Sequence, residues 1–257
     1  MVKLPTWTSF QECKCCGLDA ALYGVVDFSK NCRERKGYVL PLSGIPVYYY
    51  RCTVCGFIFT TDFDGLSEEQ LKELVYNDSY SDVDPDWEKT RPQDIANLVM
   101  KLFSNCRDEI SILDYGCGNG LVSKILLNNG FSEVHNYDPL VEKFATLPKG
   151  RFDVVLCFEV LEHLTDPVRA CRDIADLRAD KGIVLHSTLL QPQSIDEVKL
   201  DWWYAGPRNG HFSLFGADSL KILWGRFGLS VTSMNHDIHI AYKCIPDFAA
   251  HILKGPK

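Results

Sequence analysis

The sequence predicts an α/β protein with a parallel sheet, preceded by a small cysteine-rich module. Strand-like and helix-like segments alternate from about residue 108 onward, a glycine-rich turn follows the first of these strands, and cysteines cluster near the N-terminus. Alternating strands and helices are typical of parallel sheets, because helices make the crossovers between parallel strands.

The composition is that of an acidic globular protein. The chain has 257 residues, of which 46% are hydrophobic and 24% charged, with a net charge of −7. This length accommodates one α/β domain and a small module. No apolar run approaches the roughly 18 residues of a membrane span, and the first residues lack the apolar core of a secretory signal, so a cytoplasmic protein is expected. The acidic balance argues against nucleic acid as a partner, and the basic stretch from Lys30 to Lys36 is interpreted as a solvated loop.

Residues 1–65 are predicted to form a zinc-binding module resembling a zinc ribbon. The zone contains two C-x-x-C pairs, each followed by a glycine, namely Cys13 with Cys16 and Cys52 with Cys55. A two-residue spacer lets both thiolates of a pair reach one ion, and two pairs complete a closed tetrahedral shell. We therefore expect a structural Zn²⁺ held by these four cysteines. Cys15 is surplus and stays an alternative to Cys13 or Cys16.

Residues 66–107 are predicted to be a helical linker or lid. Ser67, followed by two glutamates and Gln70, has the pattern of a helix N-terminus. A second helix is expected over 93–104, where apolar residues recur at helical spacing. The loop between the two helices contains Tyr76 and Tyr80, which are candidates to close over a site.

Residues 108–257 are predicted to hold the main sheet. The apolar and β-branched segments predict strands over 110–115, 134–138, 152–158 and 182–188. Helices are expected over 121–129, 166–177 and 217–227, and a terminal hairpin over 229–234 and 238–245.

The most informative segment is the turn after the first strand of this sheet, which reads D-Y-G-C-G-N-G from Asp114 to Gly120. Glycines let the backbone approach a ligand without a Cβ in the way, and the following helix offers free N–H groups. A dinucleotide-binding turn needs its third small residue where Leu121 stands, whereas here it comes one place earlier. Asp138 ends the next strand, where a carboxylate can accept hydrogen bonds from both hydroxyls of a ribose.

This turn resembles motif I of the class I S-adenosylmethionine-dependent methyltransferases. The segment from Phe152 to Leu164 resembles the fourth strand of that family and the E-V-L-E-H loop after it, which borders the methyl-transfer centre. The resemblance implies a Rossmann-like methyltransferase sheet and S-adenosylmethionine as the cofactor. The cofactor contacts it implies are Asp114, Gly116, Cys117, Gly118, Asp138, Phe158 and Glu159.

One stretch departs from the pattern of the family. Only 13 residues separate Asp138 from Phe152, too few for a full helix and a third strand. The acidic adenine contact of the family therefore has no counterpart here. Adenine is expected to be held by apolar packing and backbone groups instead.

Methyl transfer needs an aligned acceptor, a site without water and, for a hydroxyl or a carbon acid, a base. His163 is the first candidate for the base, because an imidazole titrates near neutral pH, and His211 is the alternative. Glu159 and Tyr76 are further candidates at the catalytic centre. Of the two glutamates in the loop, Glu159 and Glu162, one is expected to face solvent.

The acceptor is expected to be a small, sugar-like molecule. The segment from Trp202 to Phe215 interleaves aromatic residues with Arg208 and His211, which suits stacking on a ring and pairing with a phosphate. This segment and the zinc module resemble the zinc-containing methyltransferases of deoxysugars and polysaccharide precursors, including sugar C-methyltransferases. Those C-methyltransferases usually have a further C-terminal domain, for which no counterpart is expected within these 257 residues, and this leaves O- and N-methylation open.

Two alternative functions stay open at this point. The first is an RNA methyltransferase that grips nucleic acid with its zinc module, although the sequence has neither a basic stripe nor an N-P-P-Y-type tetrapeptide after the fourth strand. The second is a non-catalytic, zinc-containing interaction protein, against which the intact turn from Asp114 to Gly118 and the Asp138 carboxylate argue.

Overall fold

A computed structural model describes residues 8–252 of the chain. Two sheets, one antiparallel and one mostly parallel, form the framework. The N-terminal residues on which the expectation about a secretory signal rests lie outside the described residues. None of the helices within residues 8–252 has the length and apolar character needed to cross a membrane.

The first sheet is antiparallel and has five strands. Its N-terminal strands are β1 (Phe10–Glu12), β2 (Asp19–Asp27), β3 (Pro46–Cys52) and β4 (Ile58–Thr60). The aromatic and β-branched residues of β3 suit a pleated, half-buried surface. The fifth strand, β9 (Ser213–Leu214), comes from much later in the chain and pairs with β4.

Three helices follow this sheet, α1 (Glu68–Leu74), α2 (Tyr80–Val83) and α3 (Thr90–Phe103). The predicted N-terminus of α1 is confirmed, because the Ser67 hydroxyl accepts the Gln70 N–H at 3.3 Å and the Gln70 side chain accepts the Ser67 N–H at 2.8 Å. The third helix begins three residues before the predicted start, with Pro92 in its first turn, where a missing N–H costs nothing.

The second sheet has six strands in the order β10-β11-β8-β7-β5-β6. The four parallel strands are β5 (Ser111–Tyr115), β6 (Glu133–Tyr137), β7 (Phe152–Cys157) and β8 (Arg178–Ser187). The hairpin of β10 (Ser230–Ser233) and β11 (Ile238–Tyr242) completes the sheet antiparallel to β8. The helices of this part are α4 (Leu121–Asn128), α5 (Pro167–Leu177), α6 (Ile195–Val198) and α7 (Ala217–Gly225).

Both faces of the second sheet are covered, as a parallel sheet requires. Along β5, Ile112 belongs to one buried cluster with α3 and α4, whereas Leu113 belongs to another with α5 and α7. Successive side chains of a strand point to opposite faces, so this division follows from the period of two. The predicted Rossmann-like α/β fold is confirmed.

The short connection between Asp138 and Phe152 behaves as its length predicts. Within the described part of the chain it forms a single 3-10 turn, Glu142–Phe144, and no strand. The strand β6 is consequently the edge of the sheet.

The cysteine-rich module packs directly against the main sheet. Cys13, Cys15 and Phe57 lie in the same buried cluster as Val155 of β7 and Trp224 of α7. The strand β9 also belongs to the N-terminal sheet. The boundaries after residues 65 and 107, as limits of separate folding units, stay a prediction.

Candidate active site

The glycine turn after β5 takes a conformation that depends on its glycines. Gly116, Gly118 and Gly120 all have positive φ, at 81°, 53° and 79°. A Cβ at Gly116 would lie 2.3 Å from Val160, and one at Gly120 would lie 2.9 Å from Phe144. A Cβ at Gly118 would meet nothing within 4 Å. The first and third glycines are thus required by packing, while the second faces open space in which a ligand would lie.

Asp138 stands beside that open face. Its two carboxylate oxygens accept the N–H groups of Gly118 and Leu140, at 2.8 and 2.9 Å. Burial raises the pKa of this carboxyl group, and the two N–H donors oppose the shift. These hydrogen bonds orient the carboxylate, whose remaining lone pairs suit the hydroxyls of a ribose.

Asp114 lies at the end of β5 and is only 4% exposed. Within residues 8–252 its Oδ2 atom has no hydrogen-bond partner. Burial, with the charge of Asp138 as a second cause, raises its pKa to about 7. A buried carboxylate without a partner fits a cationic ligand group, such as the ammonium of an amino acid.

Cys117 lies in the turn, where burial and the nearby charges of Asp114 and Asp138 raise the pKa of its thiol. Its side chain is buried and its N–H donates to the Tyr137 carbonyl at 3.1 Å. That contact connects the turn to β6, and the Cys117 thiol lies 3.9 Å from the Gly118 carbonyl oxygen.

Glu159, directly after β7, has a strained backbone. Its φ of 53° is unusual for a residue with a side chain. The Ser187 hydroxyl holds it on both sides, accepting the Glu159 N–H and donating to Oε1, each at 2.8 Å. The Arg91 guanidinium lies 3.5 Å from Oε2 and also binds Asp84 through two hydrogen bonds of 2.8 and 2.9 Å. Arg91 thus connects the lid to the strained loop. Phe158, the residue before Glu159, is half-buried and packs on the core.

Glu162 is fully buried, and Glu159 is the partly exposed glutamate of the loop. Oε1 of Glu162 accepts a short hydrogen bond from the Tyr204 hydroxyl, and Oε2 has no partner within residues 8–252. Burial, with the charge of Glu159 as a second cause, raises its pKa to about 8. Burial and the neighbouring negative charge therefore favour the protonated form of the Glu162 carboxyl group.

The two candidate bases lie beside each other but have different surroundings. The rings of His163 and His211 are 4.9 Å apart. Nδ1 of His211 lies 2.7 Å from the Tyr204 carbonyl oxygen, which can only accept, so Nδ1 holds the proton and Nε2 has a free lone pair in the neutral ring. Nδ1 of His163 is buried with no partner among the described residues. Burial lowers the pKa of His211 to about 4 and that of His163 well below its usual value.

Glu162, His163 and His211 offer ligand atoms that lie within 4.8 Å of one another. A carboxylate and two imidazoles are ligands that several divalent metals accept. This group could therefore hold a cation as well as move a proton.

Tyr76 approaches the same centre from the lid. Its ring lies 6.1 Å from that of His163 and 5.2 Å from that of Tyr80. The approach depends on Gly210, where a Cβ would come within 2.8 Å of the Tyr76 hydroxyl. The Tyr80 hydroxyl is 3.3 Å from the Asn209 carbonyl, so Tyr80 contributes packing.

A cavity of about 120 Å³ opens on this centre. Residues from all three predicted zones line it, and those at its catalytic end are Glu159, His163 and His211. Trp203 and Tyr204 form an aromatic wall, and Arg91 with Asp84 closes the lid side. This cavity is the candidate acceptor pocket.

Arg208 has a different role from the one its sequence context indicated. It is buried and donates to the Val75 carbonyl at 2.8 Å, to the Asn77 side chain at 3.1 Å and to the Ser79 hydroxyl at 2.8 Å. These contacts fix the loop before α2, so Arg208 is not available to pair with a phosphate. Trp202 is likewise buried, and Trp203 is the member of the pair that reaches the cavity.

The four predicted metal ligands come together in the N-terminal module. The Sγ atoms of Cys13 and Cys55 are 3.6 Å apart and those of Cys16 and Cys52 are 3.5 Å apart. All four lie within 4.8 Å of one another. In both pairs the following glycine, with a φ of 77° or 71°, donates to the carbonyl of the first cysteine. The surplus thiol of Cys15 donates to the Ser219 carbonyl at 3.1 Å and does not belong to the group.

Sequence reasoning missed several residues of the pocket. Arg91, Asp84 and Ser187 have no motif, and their contacts depend on packing between distant segments. Tyr204 was noted only as part of an aromatic run. The basic stretch at Lys30–Lys36 was visible as charge, but its place at the pocket was not.

Comparison with known proteins agrees with this geometry. Residues 87–234 match the methyltransferase domain family. The ubiquinone biosynthesis O-methyltransferase of Coxiella burnetii is 28% identical over 155 residues, covering 48% of this chain and 65% of that protein. The one of Bordetella bronchiseptica is 32% identical over 102 residues, covering 30% of this chain and 42% of that protein. The chain thus spans less than two thirds of the length of these curated relatives.

A structural relative shares the fold. The structure of an O-methyltransferase family protein from Burkholderia thailandensis superposes with a TM-score of 0.53 at 16% identity, covering 70% of this chain and 66% of that chain. The family match covers more than half of the 257 residues. The chain therefore belongs to the methyltransferase domain family and contains a class I S-adenosylmethionine-dependent methyltransferase domain.

Proposed function

We propose that this enzyme methylates a hydroxyl group of a small acceptor bound in the cavity beside His211. The single observation that carries the proposal is that one cavity connects Glu159, at the end of β7, with an imidazole whose Nε2 lone pair is free. When bound, S-adenosylmethionine supplies an electrophilic methyl group on a sulfonium.

The cofactor cradle we propose consists of the predicted residues around the glycine turn. Asp138 would bind the ribose hydroxyls through the lone pairs that its two backbone hydrogen bonds leave free. Asp114 would bind the ammonium group, because its Oδ2 atom has no partner among the described residues. Gly116 and Cys117 shape the turn, and Gly118 leaves its face open. Phe158 and Glu159 would border the methionine end.

For proton removal we propose His211 in preference to His163. The Tyr204 carbonyl fixes the tautomer of His211, and burial keeps its ring neutral at pH 7. His163 would position the acceptor together with Tyr76. The His163 ring lies 4.9 Å from that of His211, and both His163 and Tyr76 lie against Gly210. A neutral imidazole accepts the hydroxyl proton only as the oxygen–methyl bond forms, because its pKa is far below that of an alcohol.

The proposal that the acceptor is a hydroxyl rests in part on the relatives, which are O-methyltransferases. A sugar, a nucleotide-sugar or a natural-product precursor is the class we propose, because the aromatic side chains of Trp203 and Tyr204 line the cavity.

We also propose a structural Zn²⁺ bound by Cys13, Cys16, Cys52 and Cys55. Sulfur separations of 3.5–3.6 Å suit a tetrahedral shell with Zn–S bonds of about 2.3 Å. The N–H groups of Val54 and Cys55 point at the Cys52 sulfur from 3.4 Å, as donors to a thiolate would. Four protein ligands leave no position for a substrate.

The test begins with calorimetric titration of S-adenosylhomocysteine into the wild type and the Asp138→Ala variant. We expect binding that the substitution weakens at least tenfold, which is about 1.4 kcal/mol. A panel of nucleotide-sugars, sugar phosphates and phenolic acids is then incubated with S-adenosylmethionine, and the products are analysed by mass spectrometry. Equal binding by both proteins would refute the cradle, and methylation of carbon or nitrogen alone would refute the hydroxyl assignment.

A further inference from the structure

The mouth of the cavity is basic. Arg33, Arg35 and Lys36 line it, although they come from the connection between β2 and β3, far from the catalytic loop in sequence. The sequence favoured a solvated loop for this stretch. Three of its four cations instead share one cavity with His211 and Glu159.

Arg35 is held in place without being neutralised. Its guanidinium carbon lies 3.5 Å from the centre of the Trp203 ring, which fixes the plane of the group by cation–π stacking. Within residues 8–252, neither Arg35 nor Lys36 has a carboxylate within salt-bridge distance. A stacked guanidinium keeps its N–H donors free for a planar or tetrahedral oxyanion.

The acidic residues of the cavity do not cancel this charge. Asp84 forms two hydrogen bonds with Arg91, and Glu159 lies 3.5 Å from the same guanidinium. Asp86 is the lining carboxylate that remains to face three cations at the mouth. The charges at the His211 end of the cavity therefore nearly cancel, whereas the mouth has a net positive charge.

We propose that the acceptor carries an anionic group, a phosphate or a carboxylate, which Arg35 and Lys36 bind with Arg33 while the hydroxyl faces His211. This inference rests on the proposed function, because it assigns anion binding to the other end of the same pocket. It gives the N-terminal module a direct part in substrate binding. An anion held at the mouth orients the acceptor and leaves the reacting oxygen free to align.

The test uses the full-length protein saturated with S-adenosylhomocysteine and three probes, namely inorganic pyrophosphate, inorganic phosphate and succinate. Calorimetry compares the wild type, the double variant Arg35→Gln/Lys36→Gln, and the control Arg151→Gln, whose exposed side chain pairs with Asp180 away from the cavity. We expect at least one probe to bind the wild type and the control, and to bind the double variant at least tenfold more weakly. The probe that binds identifies phosphate or carboxylate as the preferred group.

Two results would overturn the inference. One is the absence of binding by all three anions at millimolar concentration. The other is equal binding by the double variant and the wild type.

Vesicles that contain phosphatidylglycerol provide a further arm of the experiment. If the wild type binds these vesicles, the double variant does not, and no free anion binds, the patch would be assigned to a lipid surface and the inference would be wrong. Because every titration is done after S-adenosylhomocysteine binding is verified, failure of this inference is distinguishable from failure of the cofactor site.

Discussion

Nδ1 of His211 lies 2.7 Å from the carbonyl oxygen of Tyr204, and the hydroxyl of the same tyrosine donates to Glu162. One residue thus fixes the tautomer of the imidazole through its backbone and binds a buried carboxyl group through its side chain. The rings of Tyr204 and His211 are 4.2 Å apart, so the histidine cannot rotate without displacing the tyrosine. The pocket is therefore organised before an acceptor enters.

The proposed proton-accepting role of His211 predicts a specific loss in the variant His211→Asn. The asparagine amide can still donate to the Tyr204 carbonyl, but it has no atom equivalent to Nε2. We expect the turnover number to fall about 10²–10⁴-fold, the usual contribution of a general base. Binding of S-adenosylhomocysteine should be unchanged, as measured by calorimetry.

The matched variant His163→Asn is expected to raise KM more than it lowers the turnover number. If this variant lost turnover and His211→Asn retained it, the two roles would be exchanged. Activity that appears only when Mg²⁺ or Mn²⁺ is added would instead indicate that Glu162, His163 and His211 bind a cation.

The raised pKa of Asp114 predicts that cofactor affinity depends on pH. The group has a pKa of about 7 when no ligand is bound, and an ammonium ligand binds its ionised form. Below pH 7 Asp114 of the free protein is protonated, so binding must release this proton. The affinity should therefore fall up to about tenfold for each unit of decreasing pH. Above pH 7 the affinity should be constant.

Titrations of S-adenosylhomocysteine at pH 6, 7 and 8 test this dependence. Asp114→Asn should bind more weakly and with little change over the range. Asp180→Asn, which alters an exposed carboxylate, should keep the wild-type dependence. A wild-type affinity that does not change with pH would exclude Asp114 as the ammonium contact.

The features that could be predicted from the sequence are those that residues close together in the chain determine by themselves. The turn from Asp114 to Gly120, the two C-x-x-C pairs and the alternating strands each follow from local spacing, and the structure places them accordingly. The length of the stretch after Asp138 was enough to predict a missing strand.

The acceptor pocket could not be predicted in the same way. Arg35 stacks on Trp203, and Arg91 lies beside Glu159, although these pairs are far apart in sequence. Such contacts depend on how three segments pack together. Arg208 illustrates the converse, because an arginine next to aromatic residues resembled a phosphate ligand, whereas its three buried hydrogen bonds fix the lid loop.

The proposed zinc site predicts one bound ion per chain and its loss on substitution of one ligand. Cys16→Ser removes one of four thiolates, so we expect the zinc content, measured by mass spectrometry after dialysis, to fall well below one equivalent. Unfolding should then begin in the N-terminal sheet, because binding energy of the ion contributes directly to folding. Cys244→Ser, at an exposed position, is the neutral control. Full zinc content in Cys16→Ser together with loss of zinc in Cys15→Ser would assign the ligand to the surplus thiol.

The raised pKa of Glu162 predicts that the variant Glu162→Gln is more stable than the wild type at high pH. Its pKa is about 8 in the folded protein and 4.5 for an unperturbed carboxyl group, so folding takes up a proton between these values. Each rise of one pH unit in this window should then lower the free energy of unfolding by up to about 1.4 kcal/mol.

The variant Glu162→Gln keeps an oxygen that accepts the Tyr204 hydroxyl and removes the titrating group. Urea unfolding should show that the substitution stabilises the protein more at pH 8 than at pH 5. Glu197→Gln, at an exposed position of α6, should leave the pH dependence of stability unchanged. Parallel stability profiles for the wild type and Glu162→Gln would mean that Glu162 is ionised in the fold, and its buried oxygen would then require a bound cation as partner.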